Sequence, residues 1–153
     1  MITLREALVT DASALHQLEQ QSFSYDQIGM RSFRRLLKSP SAYCLLALNG
    51  EQLAGYAIVL HRQNSQYWRL YSMAISENCR GQGIGQQLLR HILRKAQEER
   101  KSGVRLEVKC DNQAAVRLYH RHGFEVTELL PNYYEDGSDG YKMQLSFDTA
   151  AVC

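Results

Sequence analysis

Three glycines fall within five residues of CRGQGIGQQLL, Cys79 to Leu89, and a run with helical periodicity begins directly after them. Glycine loses more conformational freedom on folding than any other residue and weakens a helix interior by about 1 kcal/mol. A chain that keeps three of them at a helix entrance needs backbone there that is clear of side chains. LYSMAI precedes the glycines as an apolar, strand-like stretch, and Leu88, Leu89, Ile92, Leu93 and Ala96 recur at helical spacing after them. Strand, glycine turn and helix thus form one unit. Such a turn aims backbone N–H groups into one concavity, where they and the positive end of the helix dipole favour a bound phosphate. The glycines run GxGxG, without the Gly-Lys-Ser/Thr of a Walker loop or the GxGxxG of a dinucleotide fingerprint. Taken alone, the stretch is equally compatible with an ordinary tight turn.

The surrounding patterns give this unit a context. MITLREAL alternates as a short first strand. Asp11 is predicted to cap a helix running to Gln20, with Leu15 and Leu18 inward, and Ser32 to cap a second one bearing Phe33, Leu36 and Leu37 and stopped near Pro40. AYCLLAL, the turn signal NGE and QLAGYAIVL read as two antiparallel strands, and YWRLYSMAI as a third. After the glycine-led helix, Gly103 is predicted to lie in its C-terminal cap region. VRLEVKC is an alternating strand, NQAAVRLYHRHGF a short helix closed by Gly123, and FEVTELL and YKMQLSF two last strands around the polar loop PNYYEDGSDG. The order β-α-α-β-β-β-α-β-α-β-β predicts an α/β (α+β) domain around one mixed sheet flanked by helices.

Composition narrows the partners. The 153 residues suit one domain, predicted over residues 1–147, with a short tail over 148–153. Net charge is only +2, from 18 basic and 16 acidic residues, which gives no electrostatic case for nucleic acid. No long apolar run or signal-peptide pattern is present, so neither a membrane partner nor export is expected, and the predicted location is the cytoplasm. Cys44, Cys79, Cys110 and Cys153 lie 31 or more residues apart with no ligand spacing, so no metal is expected; Cys44 reads as core.

Arg80-Gly81-Gln82-Gly83-Ile84-Gly85 is similar to the Arg/Gln-x-x-Gly-x-Gly/Ala signature of the GNAT acetyltransferase superfamily, and it stands between strand and helix as it does there. LEVKCDNQAAVRLYHRHGF and NYYEDGSDGYKM resemble the branch that acetylates N-terminal amines, especially the ribosomal-protein-alanine N-acetyltransferases. The resemblance implies a mostly antiparallel central sheet, acetyl-coenzyme A as cosubstrate, and a pyrophosphate held by the turn Arg80, Gly81, Gln82, Gly83, Ile84 and Gly85. It also implies a pantetheine arm lying along the backbone of Met73, Ala74 and Ile75, with an oxyanion donor near Ile75. Asn112 is implied as a further contact to that arm; its position suits a helix N-cap equally well.

Acetyl transfer to an amine needs an uncharged nitrogen, a stabilised oxyanion and a protonated leaving thiolate. A free α-amine titrates near 7.7–8.0, against about 10.4 for a lysine, so it needs little help at neutral pH. Glu107 lies mid-strand in RLEVK, where alternation alone would turn it to solvent; the resemblance makes it the general base. Tyr119, in RLYHRHGF, would pack on the sheet by composition, and the resemblance makes it the general acid toward the sulfur. Tyr133 and Tyr134 are implied contacts to the first residues of a peptide acceptor, with Tyr141 nearby and the other wall around Phe23 to Met30. Asp136 and Asp139 read as turn residues. Cys110 lies three positions beyond Glu107 and faces the other side of an ideal strand, so direct transfer is expected. The expected acceptor is the α-amine of a protein or peptide, with a small-molecule amine as the alternative enzyme and a non-catalytic acyl-coenzyme A-binding module as a different class. The protein is expected to be a monomer or homodimer.

Overall fold

The elements of the computed structural model, which describes residues 1–23 and 27–147, follow the predicted order. They are β1 (Ile2–Glu6), α1 (Ala12–Ser22), α2 (Met30–Lys38), β2 (Ala42–Asn49), β3 (Gln52–Leu60), β4 (Tyr67–Ile75), α3 (Ile84–Glu98), β5 (Gly103–Lys109), α4 (Gln113–Arg121), β6 (Glu125–Leu130) and β7 (Gly140–Ser146). The predicted tail over 148–153, Cys153 included, and positions 24–26 of the expected acceptor wall lie outside the described residues. The seven strands form one sheet in the order β1-β2-β3-β4-β5-β7-β6. Every neighbouring pair is antiparallel except β4–β5, which is parallel and therefore needs a crossover, supplied by α3.

Helices cover both faces, which explains the unbroken apolar runs of the central strands. In β2, Tyr43, Leu45 and Ala47 point toward α3 and α4, while Cys44 and Leu46 point toward α1 and α2. Burial pushes the Cys44 thiol up to about 12, with a smaller push from Glu6, so it behaves as an apolar core group. Leu88, Leu89, Ile92 and Ala96 form the buried stripe of α3. Leu89→Ala is expected to cost about 2–5 kcal/mol, read as a lower urea midpoint at unchanged slope.

Three local expectations are corrected. Asp11 does stand at the start of α1, but its carboxylate turns back to accept the Leu8 N–H at 2.7 Å and to pair with Arg5 at 2.9 Å, leaving α1 without a side-chain cap. Ser32 is not a cap: α2 begins two residues earlier, behind Gly29. Gly103 opens β5 instead of capping α3, and a Cβ there would come within 2.0 Å of the Leu145 carbonyl oxygen on β7. The chain leaves α3 through Arg100, which takes up the left-handed conformation at φ 60°.

The sheet is interrupted at its centre. β4 pairs with β5 only from Tyr67 opposite Gly103 to Leu70 opposite Leu106. β3 stays on β4 as far as Ile75, and β7 stays on β5 as far as Lys109. Opposite β3, Ile58 faces Ser72 and Val59 faces Leu70, so Tyr71 is the extra residue of a β-bulge. Beyond that bulge the two parallel strands part.

Candidate active site

A cavity of about 660 Å³ fills the gap between the parted strands and is walled from both faces of the sheet. On the α3–α4 side it is bounded by the glycine turn and by Asn112, Leu118 and Tyr119; on the α1 side by Glu19, Phe23 and Ile28. Met73, Ala74, Ile75 and Glu107 line it from the strands themselves.

The glycine turn enters α3 with Gly81 at φ +81° and Gly83 at φ +75°, a region costly for other L-residues. A Cβ on either would meet nothing within 4 Å, so the turn faces open space. Gly85 sits in the first turn of α3 without a positive φ, and a Cβ there would make an ordinary contact with the Leu118 side chain at 3.4 Å. Arg80, Gly81, Gly83, Ile84 and Gly85 line the cavity, whereas Gln82 does not. The first N–H groups of α3 have no intrahelical partner by construction. An open concavity edged by those donors fits a phosphate group.

Asn112 performs the capping role: its Oδ1 accepts the Ala115 N–H at 3.3 Å while the residue stands on the cavity wall. Tyr119 lies in the last turn of α4, is 7% exposed, and sets its ring 5.7 Å from that of Phe124. It packs in the core on the α3–α4 side and also lines the cavity.

Glu107 is not a solvent-facing residue of an alternating strand. Arg69 of β4 donates to it through Nε at 2.8 Å and through a second guanidinium nitrogen, forming an ion pair at the fork of the two strands. Arg69 was not legible in the sequence, because only the strand register brings it to Glu107. Glu19 was missed too: it is 2% exposed, lines the cavity, and lies four residues after Leu15 on the same helical stripe. Counting that spacing would have found it.

In the loop between β6 and β7, Tyr134 reaches the cavity wall, while Tyr133 packs edge-on against it at 5.0 Å and stays outside, 45% exposed. Tyr141, opposite Val108 on β7, is not a lining residue. Lys109, buried at the end of β5, donates to Asp136 at 2.6 Å and so ties this loop to the cavity rim. The Lys109 ammonium, and then the Ser138 hydroxyl and N–H, hold the Asp136 carboxyl well below its ordinary 3.8. Its contribution is present above that ordinary value and is lost only as pH falls toward the depressed one, so the tie persists through neutral pH. Asp139 accepts the Asn132 N–H at 2.9 Å, a turn role as expected. No histidine lines the cavity among the described residues, and no group of three metal-ligating side chains occurs among them.

Known proteins resemble this chain in sequence and in fold. The sequence profile of the Acetyltransferase (GNAT) family matches residues 10–124. The N-alpha-acetyltransferase RimI of Mycobacterium tuberculosis (strain ATCC 25618 / H37Rv) is 34% identical over 147 residues, covering 94% of this chain and 91% of that protein. The crystal structure of the ribosomal-protein-S18-alanine N-acetyltransferase from Escherichia coli superposes with a TM-score of 0.89 at 24% identity, over 97% of this chain and 96% of that one. The structure of Arabidopsis thaliana NAA60 in complex with acetyl-CoA gives a TM-score of 0.84 at 19% identity, over 96% and 99%. At these identities the two structures establish the fold.

Proposed function

The chain belongs to the acetyltransferase (GNAT) family, and from that premise we propose that it transfers acetyl from acetyl-CoA to the N-terminal α-amine of a protein or peptide. The observation that carries this reading is the cavity through the sheet, lined both by a turn that fits a phosphate and by Glu107, which Arg69 pairs, and Tyr134. Acetyl-CoA supplies the activated acyl group and a thiolate leaving group.

Backbone N–H groups of the turn from Arg80 to Gly85 bind the pyrophosphate, and the positive end of α3 favours its charge. Gln82 does not line the cavity and is left out of this set. The unpaired edge of β4 at Met73, Ala74 and Ile75 offers hydrogen bonds to an extended arm, with Asn112 beside it. Glu107 takes the proton released by the amine, directly or through water, and Arg69 fixes its carboxylate toward the fork. Tyr119, on the α4 side, donates a proton toward the leaving sulfur. Tyr134 contacts the first acceptor residues, with Tyr133 buttressing it from behind.

Gly83→Ala is expected to raise the KM for acetyl-CoA about tenfold, the scale of losing one hydrogen bond to a charged oxygen, with a much smaller effect on kcat. An unchanged KM removes the turn from the phosphate role. The reading itself is tested by thiol release with a synthetic peptide that begins with an unblocked alanine and contains an internal lysine. Turnover is expected with this peptide and not with its N-terminally blocked counterpart; equal rates with both would place the acetyl group on the lysine.

A further inference from the structure

Glu19 brings three separate elements together at the α1 side of the cavity. Its Oε2 accepts the Ile28 N–H at 2.9 Å, just ahead of α2. Its Oε1 accepts the Tyr56 hydroxyl of β3 and the Ser72 hydroxyl of β4, the latter at 3.2 Å. No cation lies within ion-pair distance of it among the described residues. A buried carboxylate is costly unless its lone pairs are occupied, and here three donors are committed to it.

The direction of these bonds has a consequence for the cleft. An ionised carboxylate only accepts, so both hydroxyls must give it their single proton. Burial, and then the charge of Glu19, raise the Tyr56 phenol above its ordinary range, so it keeps the proton it donates. Tyr56 Oη also lies 3.4 Å from Ser72 Oγ, yet its proton is already spent on Glu19. Ser72 therefore has no proton left to offer the cavity and presents lone pairs to it. It stands one residue past the bulge at Tyr71, on the part of β4 that has lost β5, and it lines the cavity.

We propose that Ser72 Oγ receives an N–H of the acceptor amine, and that Glu19 is the positioning residue that holds the Ser72 proton away from the cleft. This contact rests on acetyl transfer to an amine in this cavity. It adds a specificity element: the α1 side of the cleft is set to receive a hydrogen-bond donor, with a negative charge behind it that favours an ammonium on arrival.

The test uses the full chain and the unblocked alanine peptide. Ser72→Ala should raise the peptide KM about tenfold while leaving the KM for acetyl-CoA and the thermal midpoint near those of the unaltered protein. Ser72→Thr, which keeps the hydroxyl, should restore the peptide KM. Glu19→Gln lets the amide donate to Ser72 and frees the serine proton to turn into the cleft, so it should raise the peptide KM in the same way. A normal peptide KM in Ser72→Ala, a parallel rise in the KM for acetyl-CoA, or failure of Ser72→Thr to rescue would overturn the contact alone. Absence of transfer by the unaltered protein to any amine would overturn the contact together with the reading it rests on.

Discussion

Glu107→Gln is expected to lower kcat at neutral pH by about 100-fold, at the modest end of what a positioned proton acceptor supplies. The change isolates the proton-accepting function. Glutamine has the same shape, and its Oε1 can still accept from Arg69, so the fork of β4 and β5 keeps its geometry. What the amide cannot do is take a proton from the amine. The KM values for acetyl-CoA and for the peptide should move little, because the lost interaction belongs to the transition state. The deficit should also narrow as pH rises through the α-amine range of about 7.7–8.0, since the acceptor then arrives uncharged. A pH–rate profile of both proteins checks this, and unchanged turnover would remove Glu107 from the mechanism.

Tyr119→Phe is the second large effect, an expected fall in kcat of about 100-fold with the acceptor KM preserved. The ring is packed against Phe124 within the α3–α4 core, and phenylalanine retains that contact. The stability cost should therefore stay near the value of one buried hydrogen bond, about 0.5–1.5 kcal/mol. Loss of kcat with a nearly unchanged denaturation midpoint would separate proton donation from packing. A fall in stability of several kcal/mol with a parallel loss of activity would assign the tyrosine to the core alone.

The parts of the site that were legible in the sequence are those written locally. The glycine turn is a contiguous stretch, and the order of apolar patterns gave every helix and strand its place. Asn112 declared its capping role by position, and the turn roles of Asp136 and Asp139 followed from their loop. The parts that escaped depend on register between strands distant in sequence. Arg69 meets Glu107 only because β4 and β5 run parallel and then separate, and the bulge at Tyr71 turns Ser72 toward Glu19. Periodicity cannot report a single inserted residue in a strand, because the register of its partners is not written in its own sequence.

The glycines show the same division. Their presence at a helix entrance was readable, but the sequence suggested one task for all three. Positive φ at Gly81 and Gly83 gives these two the turn geometry, whereas Gly85 needs no such conformation. Asp11 failed as a predicted cap because Arg5 and the Leu8 N–H compete for the same carboxylate. Both partners are local, six and three residues before it, and they draw the carboxylate back from α1.

Transfer of acetyl to an N-terminal α-amine is tested by incubating the protein with isotopically labelled acetyl-CoA and an extract of unblocked peptides. Mass spectrometry then locates the label. Label is expected on peptide α-amines, accumulating about 100-fold more slowly with Glu107→Gln; label confined to lysine side chains or to small metabolites would contradict transfer to the α-amine.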